Sequence, residues 1–276
     1  MKKIIIFLTL IKVLALSQTL NAQGCVAVRQ MGGLNALGTG SYNLEKGDIQ
    51  VGLNYRYFHS WRHFVGTEEQ KQRQTLGNAV NIYSHAADIN LSYGITNRLQ
   101  VYVAIPYVHN ERSQTLTLNK DSASGALTRY SLYAQGLADV RFGFNYWVTD
   151  PANAQNGNLM IGLGFKLSTG NHNTTDMALQ KDGSYKEAVN DQAIQPGDGG
   201  VGFSLEFQGF TRLYKNIYGF ANGYYLFNPR ESNGSYKSAA SPGLAGYNIY
   251  ASPDQYFVRG GFMTSVLKSK DLTFSL

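Results

Sequence analysis

The chain reads as an all-β protein, a transmembrane antiparallel up-and-down β-barrel. Three observations predict this. Eight stretches alternate residue by residue between apolar and polar side chains, the period-two signature of strands whose two faces meet unlike surroundings. The connectors between them alternate between long and short, as in bacterial outer-membrane barrels, where short turns face the periplasm and long loops face outward. Beyond residue 22, no stretch approaches the ~18 consecutive apolar residues expected of a membrane-spanning helix.

Residues 1–22 have the composition of a secretory signal peptide. Lys2 and Lys3 form a positive start, Ile4 to Ile11 an apolar run, and Ala22 a small residue ahead of a cut before Gln23. Lys12 interrupts the run before Val13 resumes it. The single cysteine, Cys25, has no partner for an intrachain disulfide. Gly24 before it suits a lipoprotein signal and Gln23 does not, so an unpaired thiol near the terminus is the simpler reading.

The formal charge of the 276 residues is +6, and loss of Lys2, Lys3 and Lys12 with the leader leaves +3. That excess is small, and no basic patch is interleaved with aromatics, which argues against nucleic acid as a partner. A mean hydropathy of −0.25 suits a barrel in which only every second strand residue is apolar. The 19 Tyr and 30 Gly suit strands, interfacial aromatic belts and turns.

The first strand covers about 48–59, with Ile49, Val51, Leu53, Tyr55 and Tyr57 on the lipid-facing side and Gln50, Asn54 and Arg56 on the inner side. A polar loop over 60–79 precedes the second strand (80–95), which alternates Ile89, Leu91 and Tyr93 with Asp88, Asn90 and Ser92. After the tight turn Thr96–Asn97–Arg98, the third strand sends Leu99, Val101, Val103, Ile105 and Tyr107 outward. Pro106 lacks an N–H for the ladder, which places it near a rim or at a bulge. A long loop is expected over 109–135, then a fourth strand with Val140, Phe142, Phe144 and Tyr146 outward and Asp139, Arg141, Gly143 and Asn145 inward. The short connector 150–157 leads to the fifth strand, with Leu159, Ile161, Leu163 and Phe165 outward and Gly162, Gly164 and Lys166 inward.

The third long loop spans 169–200. Strand six alternates Phe203, Leu205 and Phe207 with Ser204, Glu206 and Gln208. Strand seven (217–227) has the weakest parity, because Asn222 shares a face with Tyr218, Phe220 and Tyr224. A loop over 228–254 precedes strand eight, with Tyr256, Val258, Phe262 and Val266 outward. With the amino terminus in the periplasm, Tyr57, Tyr83, Tyr107 and Tyr256 gather at the outer rim and Tyr93, Tyr146 and Tyr218 at the inner one, as interfacial Tyr should.

Leu272 to Leu276 begin a ninth strand. Bacterial barrels usually have an even strand count, so the sequence implies a piece lacking its last strand or strands, or a further strand from 23–46. The expected organisation is a signal peptide (1–22), an amino-terminal periplasmic segment or additional strand (23–46), and the barrel (47–276).

Three segments resemble one family. Gly136–Leu137–Ala138–Asp139–Val140–Arg141–Phe142–Gly143 is similar to its strand opened by a Gly-Leu-Gly-Asp motif. The run from Gly162 to Gly170 is similar to its strand that exits in Thr-Gly, with Ser168 where Pro is common. Gln195–Pro196–Gly197–Asp198–Gly199–Gly200 resembles the lead-in to its next strand. The family is the outer-membrane proteins of the meta-pathway of phenol degradation, often labelled transporters. The resemblance, over roughly 48–266, implies an outer-membrane barrel of about ten to twelve strands that passes small solutes, aromatic ones among them.

The inward charges are Arg56, Asp88, Asp139, Arg141, Lys166, Glu206 and Arg259. They would form either a mixed-charge constriction lining a lumen or a salt-bridged plug. Barrels of about eight strands are filled by side chains and those of sixteen or more hold a channel, so both readings stand at ten to twelve. Arg259 is the least secure member, since Phe257 and Met263 break its strand's parity. His59 and His63 have H-x3-H spacing but straddle a strand end and a loop, with no further ligand set, so no metal site is expected. The inner positions of the assigned strands carry no mid-wall histidine for a nucleophile or acid–base pair. A loop site using His109 or His172 with Asp176 or Asp182 has no supporting spacing, so no enzyme, catalytic residue or cofactor is expected.

The expected function is passive passage or binding of small solutes in a bacterial outer membrane. The alternative is a closed-lumen barrel acting through its long loops at the surface. Expected partners are outer-membrane lipid and lipopolysaccharide, the solutes themselves and the barrel-assembly machinery.

Overall fold

The computed structural model describes residues 44–65, 67–118, 127–230, 235–236, 249–250, 253–265 and 273–275. The expected leader, Cys25, Val266 and most of the 23–46 segment lie outside these residues.

In chain order the strands begin with β1 (Ile49–Ser60), then the short pair β2 (Phe64–Val65) and β3 (Glu68–Glu69), and a single helical turn α1 (Gln72–Thr75). There follow β4 (Asn81–Gly94), β5 (Leu99–Thr117), β6 (Leu127–Leu137), β7 (Arg141–Trp147) and β8 (Gly157–Lys166). A small hairpin, β9 (Thr175–Leu179) and β10 (Tyr185–Val189), precedes β11 (Gly202–Tyr214) and β12 (Ile217–Phe227). The last are β13 (Ser235–Tyr236), β14 (Ile249–Tyr250), β15 (Gln255–Ser265) and β16 (Thr273–Ser275). The main sheet has ten strands in the order β1-β4-β5-β7-β8-β11-β12-β15-β16, with β6 also on β5. Every pairing is antiparallel between strands that follow one another along the wall, and the sheet curls strongly into a half-barrel.

The two faces reverse the usual arrangement. Antiparallel sheets commonly bury an apolar face and solvate a polar one. Here the convex face is apolar and exposed: Leu53 is 74% exposed, Val258 65%, and Leu91, Phe144, Ile161 and Leu205 join them. The concave face is polar and buried, with Ser84, Asn90, Gln100, Asn145, Ser204 and Gln208 among its members.

Short connectors lie at one end. In the β4–β5 turn, the Thr96 hydroxyl accepts from the amides of Arg98 (3.2 Å) and Leu99 (2.9 Å), which closes the chain tightly. Arg98 then reaches β7, donating from Nε to the carbonyl of Trp147 (3.0 Å) with its guanidinium 4.7 Å from the Tyr146 ring centroid. Between β11 and β12, Lys215 takes a φ of 41°, the one positive value outside glycine among the described residues.

Pro106 sits opposite a β-bulge. β5 pairs Tyr107 with Leu137 on β6 but Ala104 with Arg141 on β7, so residues 138–140 carry one extra residue. Pro106 has no amide hydrogen, and its carbonyl accepts from the Ala138 amide at 2.9 Å. The bulge turns consecutive residues Ala138 and Asp139 to the concave side, where both are buried. The inward set therefore changes from Leu132 and Ala134 before it to Arg141, Gly143, Asn145 and Trp147 after it.

Two sequence expectations are corrected. The expected loop over 109–135 is mostly strand: β5 continues to Thr117 and β6 begins at Leu127, in register from Tyr107↔Leu137 to Thr117↔Leu127. Tyr218 belongs to the concave face and not to a convex belt. Strand β12 pairs Asn222 with Gln208 and Tyr224 with Glu206, which fixes its even-numbered residues inward. Its convex residues include Tyr225 and Phe227, and Tyr225 lies opposite Tyr256 on β15.

Candidate functional site

The seven sequence-selected charges all stand on the concave face. Asp139, Arg141, Lys166 and Glu206 are buried, and Arg56, Asp88 and Arg259 are half-buried. They divide into a central hub and a cluster nearer the long-loop end, with Arg56, Asp88 and Arg259 along the more open flank.

Glu206 on β11 is the hub. Its Oε1 accepts from the Tyr102 hydroxyl at 2.6 Å and the Ser204 hydroxyl at 2.8 Å. Tyr102 comes from β5, so its ring crosses β7 and β8 to arrive. That crossing requires inward positions without side chains. A Cβ on Gly143 would lie 2.7 Å from Tyr102 Cε1, and one on Gly164 2.5 Å from the Tyr102 hydroxyl and 2.7 Å from Glu206 Oε1. The inward glycines of β7 and β8 thus form the floor beneath the tyrosine. Arg141 completes the hub, with its guanidinium 5.8 Å from the ring centroid of Tyr224 on β12. It lies within electrostatic reach of Glu206 and of Asp88, and Asp88 in turn of Arg56.

On the open flank Arg259 donates from Nε to Asn222 Oδ1 at 3.1 Å, and Tyr224 stacks on Phe257 at 6.1 Å. Phe257 broke the expected parity because it packs inward against that tyrosine.

The outer cluster centres on Asp198, which lies in the connector between β10 and β11. Its carboxylate is paired with Lys166, whose residue is 3% exposed. Asp139, delivered by the bulge, accepts from the backbone amides of Gly170 (3.0 Å) and Asp198 (3.1 Å). The chain before Asp198 folds back onto the concave face. Ile194 is fully buried among Ile82, Leu132 and Ala134, and its carbonyl accepts from Asn110 Nδ2 at 2.8 Å. Arg112 pairs with Asp191 at 3.5 Å, and Asn190 Nδ2 donates to the Tyr133 carbonyl at 2.8 Å. At the short-turn end, Trp147 is buried with Met160 against Phe210.

Tyr102, Ser204, Tyr224 and Asp198 were absent from the sequence-selected set. Tyr102 and Ser204 occupy inward parity, so their position was readable although their partners were not, whereas Tyr224 sits on the strand whose aromatic face mimics a lipid-facing one. Asp198 lies in a Gly-rich loop with no periodicity to mark it.

The histidines stand apart from this site. His59 stacks on Tyr83 at 4.3 Å, the Tyr55 hydroxyl and His85 Nδ1 are hydrogen-bonded at 2.6 Å, and His109 Nδ1 bonds Gln135 Oε1 at 2.9 Å. Of the loop acids, Asp176 accepts from the Tyr133 amide and Asp182 from the Ser184 amide and hydroxyl. Among the described residues no group of three or more His, Cys, Asp or Glu side chains gathers as a metal site would. No family model and no curated protein matches the chain.

Proposed function

We propose that the chain is an outer-membrane β-barrel that passes or binds small solutes along a polar, charge-balanced interior. The reading is carried by the inverted faces. A contiguous apolar convex surface of this extent marks contact with a membrane or another apolar partner, and the alternation of apolar-out with polar-in is that of barrels in bacterial outer membranes. In this reading the chain is exported by its leader and inserted by the barrel-assembly machinery, and its convex face meets lipid and lipopolysaccharide. Tyr55, Tyr57, Tyr107, Tyr225 and Tyr256, all exposed toward the long-loop end of the convex face, would lie at the outer interface and Tyr93 and Tyr146 at the inner one.

The route for solute runs along the half-buried flank of Arg56, Asp88 and Arg259, beside the packed hub of Tyr102, Arg141 and Glu206. The resemblance to the outer-membrane proteins of the meta-pathway of phenol degradation supports the same reading and extends it to small aromatic solutes. Planar-bilayer recording of the refolded protein tests it. Stable ohmic steps whose selectivity changes in Arg56→Gln or Arg259→Gln are expected, and silence from verified folded barrels would overturn passage.

A second reading is favoured by the burial of Asp198 and Ile194, within the connector that folds inward, and of Lys166 on β8 beneath it. In it the interior is closed and the long loops act at the cell surface. Conductance separates the two.

A further inference from the structure

We propose that residues 190–200 form a removable closure over the outer half of the barrel interior, with Asp198 as its pin. The inference rests on the passage reading above. The segment follows the β9–β10 hairpin and, instead of running outside the wall, lies on the concave face. Asn190, Gln192, Ile194, Gln195 and Asp198 are all buried there, which makes it one of the most enclosed stretches of the described chain.

How it is held suggests that it comes away as a unit. Ile194 is the one large aliphatic side chain between residues 190 and 200, so little apolar surface is gained by docking. The remaining attachments are polar and sit at defined points, and those of Gln195 to Thr174 and of the Gly197 amide to the Asn171 carbonyl are made to the neighbouring loop and not to the wall. Asp198 is paired with Lys166, and its amide donates to Asp139; Asn110 holds the carbonyl of Ile194, and Arg112 faces Asp191. Polar attachments of this kind exchange for water on release far more readily than a buried apolar face does. Next to the pin, Gly199 takes a φ of +75° and is followed by Gly200 and the start of β11. Such residues absorb the backbone rotation that a moving segment requires.

Asp198 joins both wall charges of the outer cluster, Lys166 through its carboxylate and Asp139 through its amide. Removing its carboxylate breaks the strap's ion pair with Lys166, which keeps Asp139 within electrostatic reach, and loosens the strap where it joins the hinge, while the wall strands keep their ladders. Each end of the segment then differs: the hairpin end stays on β6 through Asn190, and the hinge end swings.

The test uses full-length protein refolded into vesicles, with Cys25→Ser and a single reporter, Ile194→Cys or, in a second series, Gln192→Cys. Modification by a charged, membrane-impermeant maleimide is timed with and without Asp198→Asn, after heat-dependent gel mobility has verified folding. Lys166→Met is the second unpinned variant. Labelling is expected to accelerate at least tenfold in both, and single-channel conductance of the reporter-free Asp198→Asn protein to rise severalfold. Equal labelling rates in pinned and unpinned proteins overturn the pin, as does failure of both variants to fold. Fast labelling with unchanged, measurable conductance overturns the closure. If neither protein conducts, the passage reading and the closure fall together, and the labelling ratio still decides the pin.

Discussion

Tyr102 on β5 donates a 2.6 Å hydrogen bond to Glu206 on β11, although β7 and β8 lie between them. A phenol can bridge that span only because Gly143 and Gly164 leave the intervening surface bare. A carboxylate buried in the wall is tolerable only with donors of its own, and Tyr102 and Ser204 supply two. Adding one methyl group to the floor therefore attacks a hydrogen-bond system as well as packing. Gly164→Ala should destabilise the barrel by about 1–3 kcal/mol, as overpacking does. Gly209→Ala, whose new Cβ meets nothing closer than 3.4 Å, should be near neutral. Urea unfolding in vesicles compares the two. Tyr102→Phe should cost about 1.5–3 kcal/mol, the range for a hydrogen bond to a charged group.

Gly136 tests the backbone that leads into the bulge, two residues before it. Its φ is +144°, and a Cβ there would meet nothing within 4 Å, so any penalty comes from conformation and not from crowding. Gly136→Ala should cost about 1–3 kcal/mol, as strained backbone does. Because the bulge delivers Asp139 to the strap, the same variant should also speed maleimide labelling of Ile194→Cys. An unchanged stability would mean that the conformation is relaxed by other means.

The two faces of β1 should respond oppositely to charge. Leu53→Arg on the convex face should destabilise insertion by about 2–4 kcal/mol near the bilayer midplane. Asn54→Arg, one residue on and facing inward, should cost much less. Both stand on one strand with one ladder, so the comparison isolates the face; equal penalties would contradict the lipid assignment of the convex surface.

One tether outside the wall strands carries a pH dependence. Asp254 accepts from the Asn228 amide (2.8 Å) and from the Tyr225 hydroxyl (2.6 Å), and these bonds, the backbone one first, hold its carboxyl below the usual carboxylate range. A depressed value in the folded state means that the stabilisation is complete above the ordinary Asp value, about 3.9. It is lost as pH falls through the lower, folded value. Hydrogen exchange at the Asn228 amide, corrected for intrinsic rates, should be flat from neutral pH to about 5 and show loss of protection only below about 4. Loss of protection already at pH 5–6 would contradict the tether.

Much of the wall was legible because burial on opposite faces imposes a strict period of two, and β1, β4, β8 and β11 follow it. Strand β12 did not, since Tyr218, Phe220 and Tyr224 fill the concave side. Aromatic residues placed inward to pack a curled interior mimic the lipid-facing pattern. The outer halves of β5 and β6 were hidden for a different reason. Around Asn110, Glu111, Arg112 and Ser113 both faces are polar, so no alternation remains although the ladder continues. The seven inward charges could be placed by parity, because parity is a property of the strand. The Tyr102–Glu206 bond and the Lys166–Asp198 pair could not, because each joins residues brought together only by the curl of the sheet or the return of a loop.

Spin-label accessibility along β1 in a refolded bilayer sample tests the inverted faces most directly. Labels would be placed one at a time from Val51 to Tyr57, and their collisions with oxygen and with a water-soluble nickel chelate compared. An alternation of period two is expected, with oxygen favoured at Val51, Leu53 and Tyr55 and the nickel reagent at Gly52, Asn54 and Arg56. Water-reagent access at Leu53 equal to that at Asn54 would contradict it.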